Sequence, residues 1–403
     1  MNKESTNRSP IQLAWYKFMK NRLALFGLIV LIGACIIAIL GGTVRPDGSP
    51  DANDQQLSLA KKPMNFSVQM LAVRRNVEVE DKFFFRQLFF GGQESRYRNI
   101  PLESFELVED TVRIVKYSDF AGDSRETLEF NLLDVCYAIA PDSYRLVRDT
   151  MFATDLHGEK ISISISSAQS QVLEEHIYKH NYLLGTDKFG RDLLSRLMAG
   201  TIVSLSVGLI SVFISLILGI TLGALAGYFG GWIDEIITWL INVVWSIPTL
   251  LLVIAITFAL GKGFVQVFIA VGLTMWVEVA RVIRGQVLGL KNLEYVQAAR
   301  ALGYTNGRII FRHILPNALG PVIVISAANF ASAILLEAGL SFLGIGAQIP
   351  MASWGQMINE HYIYITTSRA HLAILPGICI LVLVLAFMLI GNGLRDSFDT
   401  RSA

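Results

Sequence analysis

The sequence predicts an all-α polytopic membrane protein of six spans that carries one inserted α+β domain. Hydrophobic residues make up 53% of its 403 positions, and only 17% are charged. Apolar runs long enough to cross about 30 Å of hydrocarbon recur near residues 23–42, 201–229, 236–259, 264–283, 319–345 and 372–393. Between the first two runs, residues 43–184 change character, with 16 basic and 22 acidic residues.

The N-terminal tail, 1–22, brings Lys17, Lys20 and Arg22 up to the first span, 23–42. A cleaved signal peptide also begins with a basic region. Its apolar core is shorter, however, and a small-residue cleavage site follows, so this run reads as an uncleaved anchor. The segment 43–184 is long enough to bury its own core. The alternations Thr111-Val-Arg-Ile-Val-Lys-Tyr117 and Lys160-Ile-Ser-Ile-Ser-Ile165 read as strands. Glu126–Tyr137 reads equally as strand or helix, and a short helix is expected around Ser170–Tyr178. The run Phe83–Phe90 reads as core or as a membrane-surface helix. Cys35 and Cys379 fall in spans and leave Cys136 alone in this segment, so no intramolecular disulfide framework is available there. His176 and His180, beside Glu174 and Glu175, would share one face of a helix. Without further placed ligands that face reads as solvated, and no metal site is expected.

Five spans occupy 185–393 and a short tail follows, 394–403. Gly219, Gly223 and Gly227 repeat every four residues, a spacing that favours close helix packing. Glu337 in the fifth span is costly in hydrocarbon and should face other helices or a water-filled path. Glu278 and Arg281 in the fourth stand one turn apart, placed to neutralise each other. Glu278 and Glu337 are therefore the candidates for a translocation path. Asp187, Arg191 and Asp192, just before the second span, read as a short amphipathic helix at an external mouth.

Charge placement sets the orientation. Outside 43–184 the chain has 18 Lys/Arg against 11 Asp/Glu, and 13 of the 18 lie in the N-terminal tail, the 281–312 loop and the C-terminal tail. Under the positive-inside rule these three are cytoplasmic, and six spans return both termini to one side. The 43–184 segment is then extracytoplasmic. The loop 284–318 contains a polar, helix-forming stretch in which Gln297, Ala298 and Ala299 open a helical turn, the small alanines letting another surface approach. Gly303 ends that helix because only glycine takes left-handed angles without a Cβ penalty. Pro316 is expected to start the next helix, where its missing N–H costs nothing. A helix–glycine–helix elbow between spans is a docking surface through which force reaches the membrane. No Gly-x-x-x-x-Gly-Lys-Ser/Thr, Gly-x-Ser-x-Gly or His-Glu-x-x-His pattern is present. The chain is thus expected to carry no catalytic residue, no metal, no cofactor of its own and no nucleic-acid partner. If ATP drives transport, its hydrolysis occurs on another subunit.

The stretch Leu184-Gly-Thr-Asp-Lys-Phe-Gly-Arg-Asp-Leu-Leu-Ser-Arg196 resembles the Leu-Gly-Thr-Asp-x-x-Gly-Arg-Asp signature of the second permease subunit of dipeptide/oligopeptide/nickel ABC importers. Further similarities follow in the family's order: Gly227–Asp234, Ser246-Ile-Pro248, Arg281–Val287, Glu294–Pro316, Leu336–Gly344, Pro376-Gly377 and Leu389–Asp399. The resemblance covers the N-terminal span and about 184–400. It implies a type I ABC importer permease fold and a coupling helix that fits a cleft on the ATPase. That role falls on Glu294, Gln297, Ala298, Ala299, Arg300, Gly303, Leu315 and Pro316. Gln297 stands where the family has Glu, and His313 where it has Ile. Arg300, Arg308 and Arg312 are placed to meet acidic ATPase residues or anionic lipid, or simply obey the positive-inside rule. Gly200-Thr-Ile-Val-Ser-Leu205 lacks the Arg that the family often carries there. The implied partners are a homologous permease subunit, two ATPase subunits holding ATP and magnesium, an extracytoplasmic solute-binding protein and the lipid bilayer, working by alternating access in the cell (inner) membrane. Peptide is the implied substrate. Nickel chelates, glutathione-like compounds and oligosaccharides are alternatives, as is a scaffold or receptor role for the external domain.

Overall fold

The computed structural model describes residues 10–77, 79, 92–119, 126–261 and 263–398, and the Phe83–Phe90 run lies outside the described residues. In chain order, α1 (Pro10–Lys20) and α2 (Arg22–Val44) come first. Then follow β1 (Phe66–Arg74), β2 (Tyr97–Val108), β3 (Thr111–Lys116), β4 (Thr127–Asn131), α3 (Leu132–Cys136), β5 (Arg145–Val147), β6 (Thr150–Thr154), β7 (Lys160–Ser164), α4 (Ile165–Gln171) and β8 (Ile177–Tyr182). The remainder is helical: α5 (Leu193–Phe229), α6 (Gly231–Ser246), α7 (Thr249–Leu260), α8 (Phe264–Leu290), α9 (Glu294–Ala301), α10 (Asn306–Ile309), α11 (Leu315–Phe342), α12 (Trp354–His361) and α13 (His371–Phe398). The chain divides into two compact units, one of Met1–Ala38, Gly200–Tyr362 and Ala373–Ala403, the other of Ile39–Ala199 and Ile363–Leu372.

Among the described residues, α2, α5, α8, the helical run Asn306–Phe342 and α13 are long and apolar enough to cross a membrane. The expected span at 236–259 is instead a bent pair, with α6 and α7 meeting at 97°. Pro248 is the cause. Its ring drives the preceding residue out of the helical region, and Ile247 sits at φ −92, ψ 131.

The first unit is organised around α8, whose apolar window is 67% buried against 11% for α2. That contrast makes α8 the inner pillar of the unit and leaves most of α2 outside its packing. The glycine stripe of α5 seats on α8. A Cβ on Gly219 would lie 2.5 Å from Val279 Cβ, one on Gly223 2.4 Å from Ala280 O, and one on Gly227 2.8 Å from Val287 Cβ. Ser211 on α5 donates its hydroxyl to Phe268 O of α8 at 3.0 Å. The anchor α2 meets α13 through Ala24 and Ile390, joined by Phe18 of α1.

The second unit is α+β. Its five-stranded antiparallel sheet has the order β4-β3-β2-β1-β8, and a three-stranded sheet has the order β5-β6-β7. Alternation works as expected in β3, where Val112 and Ile114 are buried and Arg113 is exposed. They join Leu71, Leu102, Met151 and the residues of α3 in one core. The ambiguous 126–137 segment is strand and then helix. Asn131 makes the change by accepting the Leu133 N–H at 2.9 Å as an N-cap. The helix expected around Ser170–Tyr178 lies earlier, as α4 followed by a π-turn at Val172–His176. Because β8 begins at Ile177, His176 and His180 do not share a helix face. His176 is instead buried, with its Nδ1 2.8 Å from Ala72 O and its ring against Tyr97.

Candidate functional site

The elbow after α8 turns on Gly303, which sits at φ +76. Helix α9 ends in a Schellman motif. The Gly303 N–H donates to Arg300 O at 3.0 Å and the Tyr304 N–H to Ala299 O at 3.2 Å. Glu294 lies in its first turn, where a carboxylate suits the positive end of the helix. Gln297 donates its side-chain amide to Asn292 O at 3.0 Å, a bond that a glutamate's carboxylate has no proton to make.

Helical spacing splits α9 into two faces. Val296 and Ala299 are buried among Tyr228, Ile283, Val287, Ile309 and Ile314, whereas Glu294, Gln297, Ala298 and Arg300 are exposed. Leu302 just beyond is 72% exposed. Of the residues assigned to docking, Ala299 and Leu315 therefore face inward as anchors. Gly303 and Pro316 lie at the surface.

Pro316 lies in the first turn of α11, as expected, although the helical run does not start afresh there. The helical run starts at Asn306 and opens into a π-turn at Ile310–Ile314 before α11 begins at Leu315. A wider turn accommodates a proline that cannot donate to the carbonyl four residues back. His313, in the position where the family has Ile, stacks on Tyr304 with ring centroids 5.7 Å apart, and Tyr304 is covered in turn by the Arg308 guanidinium.

Several side chains tie this elbow to the spans, and apart from Arg300 none was singled out from the sequence. The Tyr228 hydroxyl at the end of α5 donates to Asn306 Oδ1 at 2.9 Å, with Arg300 5.6 Å from its ring centre. Lys291 Nζ donates to Gly227 O at 2.7 Å, closing the C-terminal end of α5. Arg284 on α8 grips Asp234 on α6 through two bonds of 2.5 and 2.7 Å. The signal for that pair was the one acid in Gly227–Asp234 and the second of the two arginines in Arg281–Val287, segments that entered only as separate resemblances.

The two candidate path carboxylates occupy different settings. Glu337 is 1% exposed, and its Oε1 accepts the hydroxyls of Ser341 at 2.6 Å and Ser353 at 2.7 Å. It thereby joins α11 to the start of α12. Glu278 is exposed and lines a cavity of about 320 Å³ with Trp245, Thr249, Thr274 and Ser332. The expected neutralisation by Arg281 does not occur. Arg281 lies over the Trp245 ring, 3.5 Å from its centre, and among the described residues no ion pair joins it to Glu278.

In the second unit, Asp187, Arg191 and Asp192 form a loop and not the expected amphipathic helix; helix begins only at Leu193, with the apolar span α5. Gly185 at φ +79 and Gly190 at φ +76 impose the turns. Asp187 accepts the N–H groups of Phe189 at 2.8 Å and Arg191 at 2.9 Å, and the Arg191 Nε at 2.5 Å. Arg191 also donates to Asn53 Oδ1 at 3.2 Å, and Thr186 accepts the Lys62 N–H at 2.8 Å. A Cβ on Gly190 would fall 1.8 Å from Gln56 O. The signature is thus a clasp that holds residues 53–62 against the start of α5. Burial lifts the Asp192 carboxyl above the usual carboxylate range, opposed by the hydroxyl and N–H of Ser195.

Residues 219–403 match the model for the inner membrane component of binding-protein-dependent transport systems, and residues 9–63 match that for the N-terminal transmembrane domain of oligopeptide transport permease C. A glutathione transport system permease protein of Pectobacterium atrosepticum is 42% identical over 218 residues, covering 54% of this chain and 72% of that protein. The chain belongs to the dipeptide/oligopeptide permease family of ABC importers. As such it is a membrane-embedded transport subunit and not itself an enzyme. This permease is also 43% identical to a dipeptide transport system permease protein of Alkalihalophilus pseudofirmus over 217 residues, 54% of this chain and 71% of the relative. It is 38% identical to an oligopeptide transport system permease protein of Bacillus subtilis over 221 residues, 55% and 72% of the two chains. Among solved structures, a chain of an inward-facing methionine ABC transporter aligns with a TM-score of 0.42 at 19% identity, over 51% of this chain and 97% of that one. Neither family model extends over residues 64–218.

Proposed function

We propose that this permease pairs with a homologous permease subunit to form a translocation path for short peptides, switched by two ATPase subunits that dock on the exposed side of Glu294–Pro316. The two-faced α9 carries this reading: its inward face is fixed in the span core, and its outward face offers Gln297, Ala298 and Arg300 to a partner. ATP and magnesium belong to the ATPase subunits. When these close, each pushes its coupling helix, and the switch of access follows from the movement of the attached spans. Substrate arrives from an extracytoplasmic solute-binding protein. Peptide is favoured because the relatives are named for dipeptides, oligopeptides and glutathione, all joined by amide bonds.

The basic tails and elbow support cytoplasmic placement of both termini and of 284–318, with 43–184 on the outside. A domain inserted there accords with the gap that the family models leave. Cysteines placed at Ala298, Arg300 and Val296 test the docking face in the complex co-expressed with its ATPase. Ala298→Cys and Arg300→Cys are expected to cross-link to the ATPase and Val296→Cys is not. A transport-competent complex without any cross-link at 298 or 300 would overturn the assignment.

A further inference from the structure

Glu278 is the fifteenth residue of α8, so it lies about 21 Å along a helix that rises 1.5 Å per residue. A carboxylate at that depth is expensive in hydrocarbon and must be met by a cation, a hydrogen-bonding network or water. The cation on its own helix is withheld, because Arg281 is held on the face of Trp245. Among the described residues no other Lys or Arg forms an ion pair with Glu278. What surrounds it is a cavity. The bend at Pro248 tilts α7 away from α6 and opens about 320 Å³ lined by Glu278, the hydroxyl side chains Thr249, Thr274 and Ser332, and apolar residues such as Met275 and Leu335. Thr274 spends its proton on Val271 O at 2.8 Å, which leaves its oxygen lone pairs as acceptors.

One anionic group, hydroxyl oxygens and apolar walls together suit a compact alkylammonium better than a neutral or anionic guest. We propose that this cavity binds an ammonium group of the transported peptide, with Glu278 as its counter-charge. This deepens the peptide reading of the path and rests on it. The ammonium can come from the peptide's amino terminus or from a lysyl side chain, and the chemistry at Glu278 is the same for both.

The test uses the complete transporter, with its partner permease, ATPases and binding protein, in proteoliposomes. The probes are tri-alanine, N-acetyl-tri-alanine and N-acetyl-Ala-Lys-Ala, each supplied to wild type and Glu278→Gln. Because the binding protein is common to both, differences between the complexes report the permease. For tri-alanine, Glu278→Gln is expected to raise KM by about tenfold or more, the effect of losing one charged hydrogen bond. N-acetyl-tri-alanine should be handled equally by the two complexes. A rise for N-acetyl-Ala-Lys-Ala shows that a side-chain ammonium is also accepted, and its absence confines recognition to the amino terminus. Unchanged KM for both ammonium-bearing peptides would overturn the inference. So would an equal loss with the acetylated tri-alanine, or loss of the co-purifying partner permease, which would make Glu278 an assembly contact. If the wild-type complex transports none of the three, the peptide reading itself fails, and this inference with it.

Discussion

Gly303 offers a clean perturbation because space and conformation are separated there. Nothing lies within 4 Å of a Cβ built on it, so a small side chain meets no clash. Its φ of +76 is the sole obstacle. The left-handed region costs an ordinary L-residue about 1–2 kcal/mol, which is about fivefold to thirtyfold in the population of the native elbow. The cost falls on a short helix whose end is held by two bonds, Gly303 N–H to Arg300 O and Tyr304 N–H to Ala299 O. Gly303→Ala should weaken ATPase co-purification and ATP-driven uptake by about that factor, and β-branched Gly303→Val by more. Gly303→Asn should stay near wild type, since asparagine tolerates left-handed angles. The assay is affinity co-purification of the ATPase from membranes, followed by peptide uptake at matched permease levels. If Val equals wild type, or if Asn is as damaging as Val, the backbone argument is wrong and the elbow does not depend on this conformation.

Other outcomes follow from the same geometry. Gly223→Val should destabilise the permease by about 1–3 kcal/mol through overpacking against Ala280, whereas Gly285→Ala, with no atom within 4 Å of its Cβ, should be neutral or better; thermal melting of the detergent-solubilised complex separates the two. A membrane-impermeant maleimide should label Val147→Cys in intact cells and Leu302→Cys only after permeabilisation, both sites being exposed; the reverse pattern would invert the topology. Burial pushes the Cys136 thiol up to about 12, so its thiolate is scarce at pH 8 and it should resist alkylation until the chain is unfolded, as mass spectrometry would reveal. Burial and the neighbouring Asp47 raise the Asp54 carboxyl above its ordinary range. The native state then holds a proton that the unfolded chain gives up, so stability falls as pH rises from about 4 through the raised value. Asp54→Asn should accordingly raise Tm more at pH 7 than at pH 4.5.

The spans were legible because apolarity over about 20 residues is a local property. The same locality concealed the 97° bend, since Ser246-Ile-Pro248 sits inside a continuous apolar stretch and hydropathy is blind to a missing N–H. Local reading also failed at Asp187, Arg191 and Asp192. Their charge spacing suits a helix, but Gly185 and Gly190 break it, and the partners of the loop lie more than a hundred positions away, at Asn53 and Lys62. In the elbow, the stop at Gly303 was readable from glycine's backbone freedom. The inward turn of Ala299 was not, because it depends on which face of α9 meets Ile283 and Ile309. The split of 126–137 into strand and helix hung on one N-cap, Asn131, and both readings of that segment held a part of the answer.

Under the proposed docking, the elbow's attachments give a push outside the membrane a route into it. Held by backbone alone, α9 would dissipate a displacement as bending at Gly303 and around Asn292. Instead Val296 and Ala299 sit in the same packed cluster as Ile283 and Val287 of α8 and Ala318 and Val322 of α11. Close-packed side chains transmit displacement because they have no slack. Tyr228 carries the motion to the end of α5, and the glycine stripe that seats α5 on α8 makes those two helices respond together. Arg284 then takes it to Asp234 at the start of α6, the helix that leads into the Pro248 bend. Under the proposed docking, a push on α9 would reach the wall of the Glu278 cavity through this series of packed and hydrogen-bonded contacts, the α5–α8 step being made at the glycine backbone. Arg284→Ala interrupts that chain at a point remote from both the docking face and the cavity. It should leave ATPase binding intact while uncoupling hydrolysis from uptake, and loss of ATPase binding instead would place Arg284 in assembly and not in transmission.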